Sequence, residues 1–178
     1  MDKTQTTYIG IDPGTTESGY CIITEDYKIL DAGKLDNDRL ISQLRATLID
    51  DPSIEVAIES IQSYGMQMGK STIETCYMIG RIMQVVFDCN RPISLYPRPE
   101  YAKSICATNK INDAIIRTAL ENRFGSYDKG KEEKRLKSGV IKQAAVEAGP
   151  LYQLAGESDK RSAFAVVAYH LDKKRFTN

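Results

Sequence analysis

The chain has 178 residues, 42% hydrophobic and 27% charged, which suits one domain with a genuine core and leaves no low-complexity tract. No stretch approaches the roughly eighteen apolar residues of a membrane span, and the polar start Met1–Thr7 lacks the apolar segment of a secretory leader, so a cytoplasmic protein without a membrane partner is expected. The formal charge is zero but uneven: residues 1–97 carry 8 Lys/Arg against 14 Asp/Glu, while residues 98–145 carry 11 against 6. An acidic half followed by a basic stretch suits carboxylates at a metal site and cations along a phosphate backbone.

In chain order, Thr7–Ile11 reads as a short buried strand, followed by strands over Gly19–Thr24 and Tyr27–Lys34 in a close-spaced meander. A helix is predicted over Asn37–Ile49, with Leu40, Ile41, Leu44 and Leu48 on one side, and a fourth strand over Ile54–Glu59. Ser71–Asp88 is a longer helix, Arg91–Tyr96 a fifth strand between Pro92 and Pro97, and Glu100–Cys106 and Ile111–Phe124 are helical. Gly125–Gly139 has little to bury and reads as a basic loop or partly helical insertion, within a wider region 125–157. A helix is expected over Lys142–Ala148, stopped by Gly149-Pro150, and a last one over Asp159–Lys174, apolar enough to lie on the sheet. This order gives an α/β protein with a five-stranded mixed β-sheet flanked by α-helices, one domain over 1–178.

Cys21, Cys76, Cys89 and Cys106 are widely spaced and His170 is the single histidine, so no zinc cluster is expected and the thiols read as reduced apolar fillers. The acids are more informative. Asp12 ends the first strand and Glu59 the fourth, and each follows a small residue two positions back, Gly10 and Ala57. Side chains two apart share a face, so each acid lies beside a cleared patch, and neighbouring strands would bring both to one end of the sheet. An acid ending an apolar strand needs a cation or a donor. Asp159 follows a candidate N-cap, Ser158, and shares the apolar helix face with Ser162, Ala163, Val166 and His170; Glu157 is a reserve candidate.

The segment Gly10-Ile-Asp-Pro-Gly-Thr-Thr16 is similar to two things. One is the first phosphate loop of sugar kinases and actin-like ATPases, which have two lobes and a second Gly-rich loop. The chain is about one lobe long and no second loop appears, so a nucleotide cofactor is not expected. The other is the first motif of RuvC-type Holliday junction resolvases, of the RNase H-like fold. Ala57-Ile-Glu-Ser60 with the later Ile79-Gly-Arg-Ile82 resembles their second motif, Ser94-Leu-Tyr-Pro-Arg98 with Lys103 the next strand and helix start, Asn109-Lys110 their Lys-bearing helix entry, and Asp159-Lys-Arg-Ser-Ala-Phe-Ala165 the C-terminal motif.

That resemblance implies an RNase H-like, structure-selective endonuclease that resolves branched DNA junctions as a homodimer, using two Mg²⁺ ions (Mn²⁺ substituting) held by Asp12, Glu59 and Asp159. The family pattern has an acid or His followed three residues later by Asp; here the pair is Asp159 and Ser162, so either Ser162 assists or Glu157 compensates. Candidate DNA contacts are Arg98, Lys103, Lys110, Arg117, Lys134, Arg135 and Lys137, with Tyr64, Met66 or Met68 as wedges between bases. The Ile79–Phe87 stripe is the candidate dimer face. A catalytically silent branched-DNA-binding protein and an actin-like nucleotide-binding lobe are the competing expectations.

Overall fold

The computed structural model describes residues 6–177, except 64, 66, 136, 139 and 140 and the side chains of 142 and 177. Strands β1 (Thr7–Asp12), β2 (Glu17–Thr24) and β3 (Ile29–Asp36) form the antiparallel meander. Helix α1 (Asn37–Asp50) leads to β4 (Glu55–Ser60), α2 (Lys70–Asp88) to β5 (Ile93–Pro97), and α3 (Arg98–Cys106) and α4 (Asp113–Phe124) follow. Helix α5 (Ser158–Thr177) ends the chain. The sheet order is β3-β2-β1-β4-β5, with β1, β4 and β5 parallel, which is the expected five-stranded mixed sheet.

Each face of the sheet has its own core. Ile9, Ile11, Val56 and Ile58 point to α1 and α2, where they meet Leu40, Leu44, Ile82 and Val86. Residues of opposite parity, among them Cys21, Ile23 and Ala57, point to α5, whose Ala163–Ala168 run is fully buried. This packing depends on small residues in the strands. A Cβ on Gly10 would lie 2.0 Å from the Ala163 carbonyl oxygen and 2.8 Å from Val167 Cβ, so only glycine lets α5 settle on β1. Gly10 pairs with Ala57 in register, and the two make a shallow trough under the helix.

Several boundaries and one element differ from expectation. The predicted helix over Lys142–Ala148 is instead one arm of a hairpin: β6 (Lys134–Arg135) pairs with β7 (Ile141–Gln143), and Lys131 exchanges backbone hydrogen bonds of 2.7 and 2.8 Å with Val146. Ile141 and Val146 stand exposed there, with no apolar partners at helical spacing to bury. Helix α3 begins at Arg98, two residues earlier than predicted, because Pro99 suits a first helical turn. Ser158 is the first residue of α5, and its Oγ donates to Asp159 Oδ1 at 3.1 Å.

Candidate active site

The parallel register sets Ile11 beside Ile58, so the next residues, Asp12 and Glu59, leave adjacent strands at the same edge of the sheet. Both follow the parity of Gly10 and Ala57 and therefore face α5. On the other side Asp12 pairs with Gly19 of β2. A Cβ on Gly19 would lie 2.5 Å from the Asp159 carbonyl oxygen and 2.9 Å from its Cβ. The missing side chain lets the start of α5 come down on the strands and carries Asp159 to the acids. The charges of Glu59 and Asp159 both act on Asp12.

The turn after Asp12 is a brace. Gly14 N–H donates to Ser18 Oγ at 3.1 Å, Ser18 Oγ donates to Asn37 Oδ1 at 2.7 Å, and Asn37 Nδ2 donates to the Gly14 and Thr15 carbonyls, each at 3.1 Å. A phosphate loop would point its amides at a ligand; here the Gly14 amide is spent inside the fold.

Three side chains expected elsewhere, or not at all, complete the acid cluster. Arg98, read from sequence as a DNA contact, turns inward: its Nη1 lies 3.8 Å from Glu59 Oε1 and donates to Ser162 Oγ at 3.2 Å, and its Nη2 pairs with Asp113. Tyr101, fully buried, donates to Glu59 Oε2 at 2.5 Å. Lys34 of β3 lies 3.0 Å from Asp159 Oδ2. Lys34 was legible in principle: β3 pairs antiparallel to β2 and sets Lys34 opposite Gly19, beside Asp12. Tyr101 left no signal, since an aromatic in an amphipathic helix reads as core.

Burial, together with the charges of Glu59 and Asp159, pushes the Asp12 carboxyl up to about 8 against the pull of Arg98 and of a hydrogen bond from Ser162. Burial also raises Glu59, opposed by Tyr101 and Arg98. At Asp159 burial pushes upward, but the hydrogen bonds from Lys34 and Ser158 outweigh it and hold the carboxyl below its usual range. Asp12 is thus the one of the three acids with no ion-pair partner among the described residues. Such a deficit of positive charge, on hard oxygens, fits a divalent cation such as Mg²⁺. Among the described residues no three Asp, Glu, His or Cys side chains are already set around a common point. Glu59 is drawn to Tyr101 and Arg98, and Asp159 to Lys34, so an ion would have to displace one of these partners.

The remaining candidates are scattered. Glu157 is half exposed, 3.8 Å from Lys160, and Ser162, 3% exposed, accepts from Arg98. Lys103, Lys110 and Arg117 are exposed on α3, the α3–α4 loop and α4. Lys110 lies three residues before Asp113, which pairs with Arg98. Lys134, Arg135 and Lys137 are exposed on the hairpin, Arg135 paired with Glu133 at 2.6 Å. Met68 is exposed after β4, whereas Tyr64 and Met66 lie outside the described residues. His170 sits at the opposite end of β4 from Glu59, 3.0 Å from Tyr96 Oη and 3.2 Å from Glu55; burial holds its pKa down, and its part is structural.

Two solved structures from Thermus thermophilus share this architecture: RuvC, and RuvC in complex with a Holliday junction substrate. They match with a TM-score of 0.64 each at 13% and 14% identity, covering 96% and 97% of this chain and 96% of each of theirs. The fold is that of RuvC. No family model and no curated protein matches the sequence. Helix α2 turns a stripe outward on this RuvC-like scaffold. Ile79, Ile82 and Val86 of the expected dimer face are buried against the sheet, and the exposed side of α2 carries Ile73, Tyr77, Gly80 and Phe87 together with Arg81, Gln84 and Asp88. Among the described residues no helix is long and apolar enough to cross a membrane.

Proposed function

We propose that the protein is a Mg²⁺-dependent endonuclease that cuts branched DNA, four-way junctions foremost. The observation that carries this reading is the convergence of Asp12, Glu59 and Asp159 from β1, β4 and α5 at one edge of a RuvC-like sheet. Asp12, Glu59 and Asp159 would hold the metal, for which Mn²⁺ would substitute. When bound, it supplies Lewis acidity to the scissile phosphate and lowers the pKa of a water. Two ions is the number the family resemblance implies.

The protein's own part is positioning. The Gly14–Ser18–Asn37 brace fixes the main chain after Asp12, and Tyr101 fixes Glu59. Lys103, Lys110, Arg117 and the hairpin cations would bind flanking phosphates. Met68 would meet exposed base faces at the branch, together with Tyr64 and Met66. Hydrolysis joins the water oxygen to phosphorus, breaks the P–O3′ bond, and leaves a 5′-phosphate and a 3′-hydroxyl. A junction offers two symmetric strands, so a homodimer built on the exposed α2 stripe suits it.

The test is incubation with a four-way junction and Mg²⁺. Paired symmetric nicks that vanish in Asp12→Asn while junction binding persists support the enzyme; unchanged cleavage in that variant removes Asp12 from the chemistry. Flap, RNA–DNA hybrid and plain duplex in the same assay rank the substrates. The lack of a preset three-acid cluster among the described residues favours a second reading, a branched-DNA-binding protein without catalysis, which junction binding with no cleavage in Mg²⁺ or Mn²⁺ would establish.

A further inference from the structure

We propose that the hairpin between α4 and α5 is an arm that grips duplex DNA, with Lys129, Lys131 and Lys134 closing on the phosphate backbone beside the branch. The inference rests on the branched-DNA reading above and adds to it a second contact surface, rooted apart from the acid cluster.

The base of the hairpin is fixed to the body. Gly149 N–H donates to the Asp128 carbonyl at 2.8 Å, and the buried Tyr127 donates through its hydroxyl to the Arg117 carbonyl at 3.3 Å. Pro150 and Leu151, next in the chain, line one surface recess with Tyr27 and Ile29. Ile29 pairs with Ile23, and Ile23 with Tyr8, at the opposite end of β1 from Asp12. Beyond this base the hairpin stands off the body: of its described residues from Lys131 to Ala148, all but Gln143 are exposed. A two-stranded ribbon wet on both faces is marginal by itself and gains order from what it binds.

The cations of the hairpin converge. Gly130 has a φ of +76°, and a Cβ there would lie 2.6 Å from the Val146 carbonyl oxygen, so only glycine lets the two arms come this close. Past it, Glu132 and Glu133 lie between the Lys131–Val146 bridge and β6 without strand pairing, and the Glu132 carbonyl accepts from Gln143 Nε2 at 3.0 Å. Strand alternation lapses over these two residues. Lys131 and Lys134, three apart, therefore line one hollow of about 540 Å³ together with Lys129. Glu132 is the one acid among its lining residues, so three lysines against one glutamate leave it at +2. Among the described residues none of the three lysines has an ion-pair partner, whereas Arg135 is held by Glu133 at 2.6 Å. Like charges gathered without counter-ions are stabilised by an anion. Lysine meets phosphate as a point charge and demands no fixed geometry, which suits a repeating backbone better than one shaped ligand. Duplex DNA, with a charge roughly every 1.7 Å along its axis, offers several phosphates to one such hollow.

The test is equilibrium binding of a fluorescent four-way junction and of a plain duplex, in chelator so that neither is cut, over a salt series. Wild type is compared with Lys131→Gln/Lys134→Gln and with Arg135→Gln/Lys137→Gln, which removes the same charge from the hairpin outside the hollow. All four side chains are exposed, so the substitutions leave the core untouched. The hollow variant should lower the slope of log affinity against log salt by about two, and weaken binding by roughly tenfold or more near 0.1 M salt. The loss should be the same factor for junction and duplex, because the contact is with an arm and not with the branch. The outer variant should lower the slope by less than half as much. An unchanged slope in the hollow variant, equal effects of the two variants, or a loss confined to the junction overturns the inference, and the nuclease reading still stands on cleavage in Mg²⁺. Wild-type protein that binds neither DNA overturns both.

Discussion

Lys34 and Asp159 form a 3.0 Å ion pair that joins the edge strand β3 to the first turn of α5. The lysine shares itself with Glu17 at 3.3 Å, and both of its partners are partly exposed. It occupies one oxygen of an acid that a metal would need. Lys34→Met should therefore bind Mn²⁺ more tightly, by roughly two- to fivefold, the worth of a solvent-exposed pair. Equal affinities in a Mn²⁺ titration of the two proteins would show that the lysine does not compete.

The Asp12 carboxyl gives the metal-free protein a characteristic pH dependence. Its folded pKa, about 8, lies above the ordinary 3.8, so the folded state holds a proton that the unfolded chain releases. That contribution is complete below about pH 4 and is lost as pH rises through about 8. His170, buried with a lowered pKa, works in the opposite sense on going from acid to neutral pH. The informative quantity is thus the difference between Asp12→Asn and wild type in chelator. The variant should gain about 4 kcal/mol relative to wild type between pH 5 and 8.5, read from denaturant unfolding. A difference that does not change with pH would refute the assignment.

Gly19→Ala tests how α5 reaches the strands. The added methyl would lie 2.5 Å from backbone of Asp159, so the helix start must shift. The expected cost is ~1–3 kcal/mol of stability, the range for overpacking. Mn²⁺ affinity should drop as well, even at temperatures where the variant is fully folded. A destabilised variant that binds Mn²⁺ as wild type does would mean that Asp159 is not held by this contact.

The outward stripe of α2 makes the assembly testable. Nothing lies within 4 Å of a Cβ built on Gly80, and Tyr77 and Phe87 are 69% and 55% exposed. Light scattering should give a dimer for wild type and a monomer for Tyr77→Arg, with helical content unchanged. Gly80→Arg should act in the same way. A wild-type monomer at micromolar concentration would remove the α2 interface.

The sheet and its acids were legible because they follow from periodicity two: Gly10 with Asp12 and Ala57 with Glu59 mark one face, and parallel pairing does the rest. Asp159 and Ser162 were legible from the apolar face of the last helix. The cations were not. Arg98 shows its charge in the sequence but not its direction, and its inward turn depends on where Ser162 and Asp113 arrive from later in the chain. The hairpin over β6 and β7 escaped because its residues bury little, and without an apolar pattern neither helix nor strand leaves a signature.

The close seating of α5 on Gly10 and Gly19 also governs when the protein becomes competent. Asp12 is in place once the meander has formed, but Asp159 arrives only when a helix about 150 residues further on has docked. Contacts so distant in sequence form late. Folding and assembly of the acid cluster are in this respect one event, and a chain still lacking its last helix carries strands with two acids and no complete site.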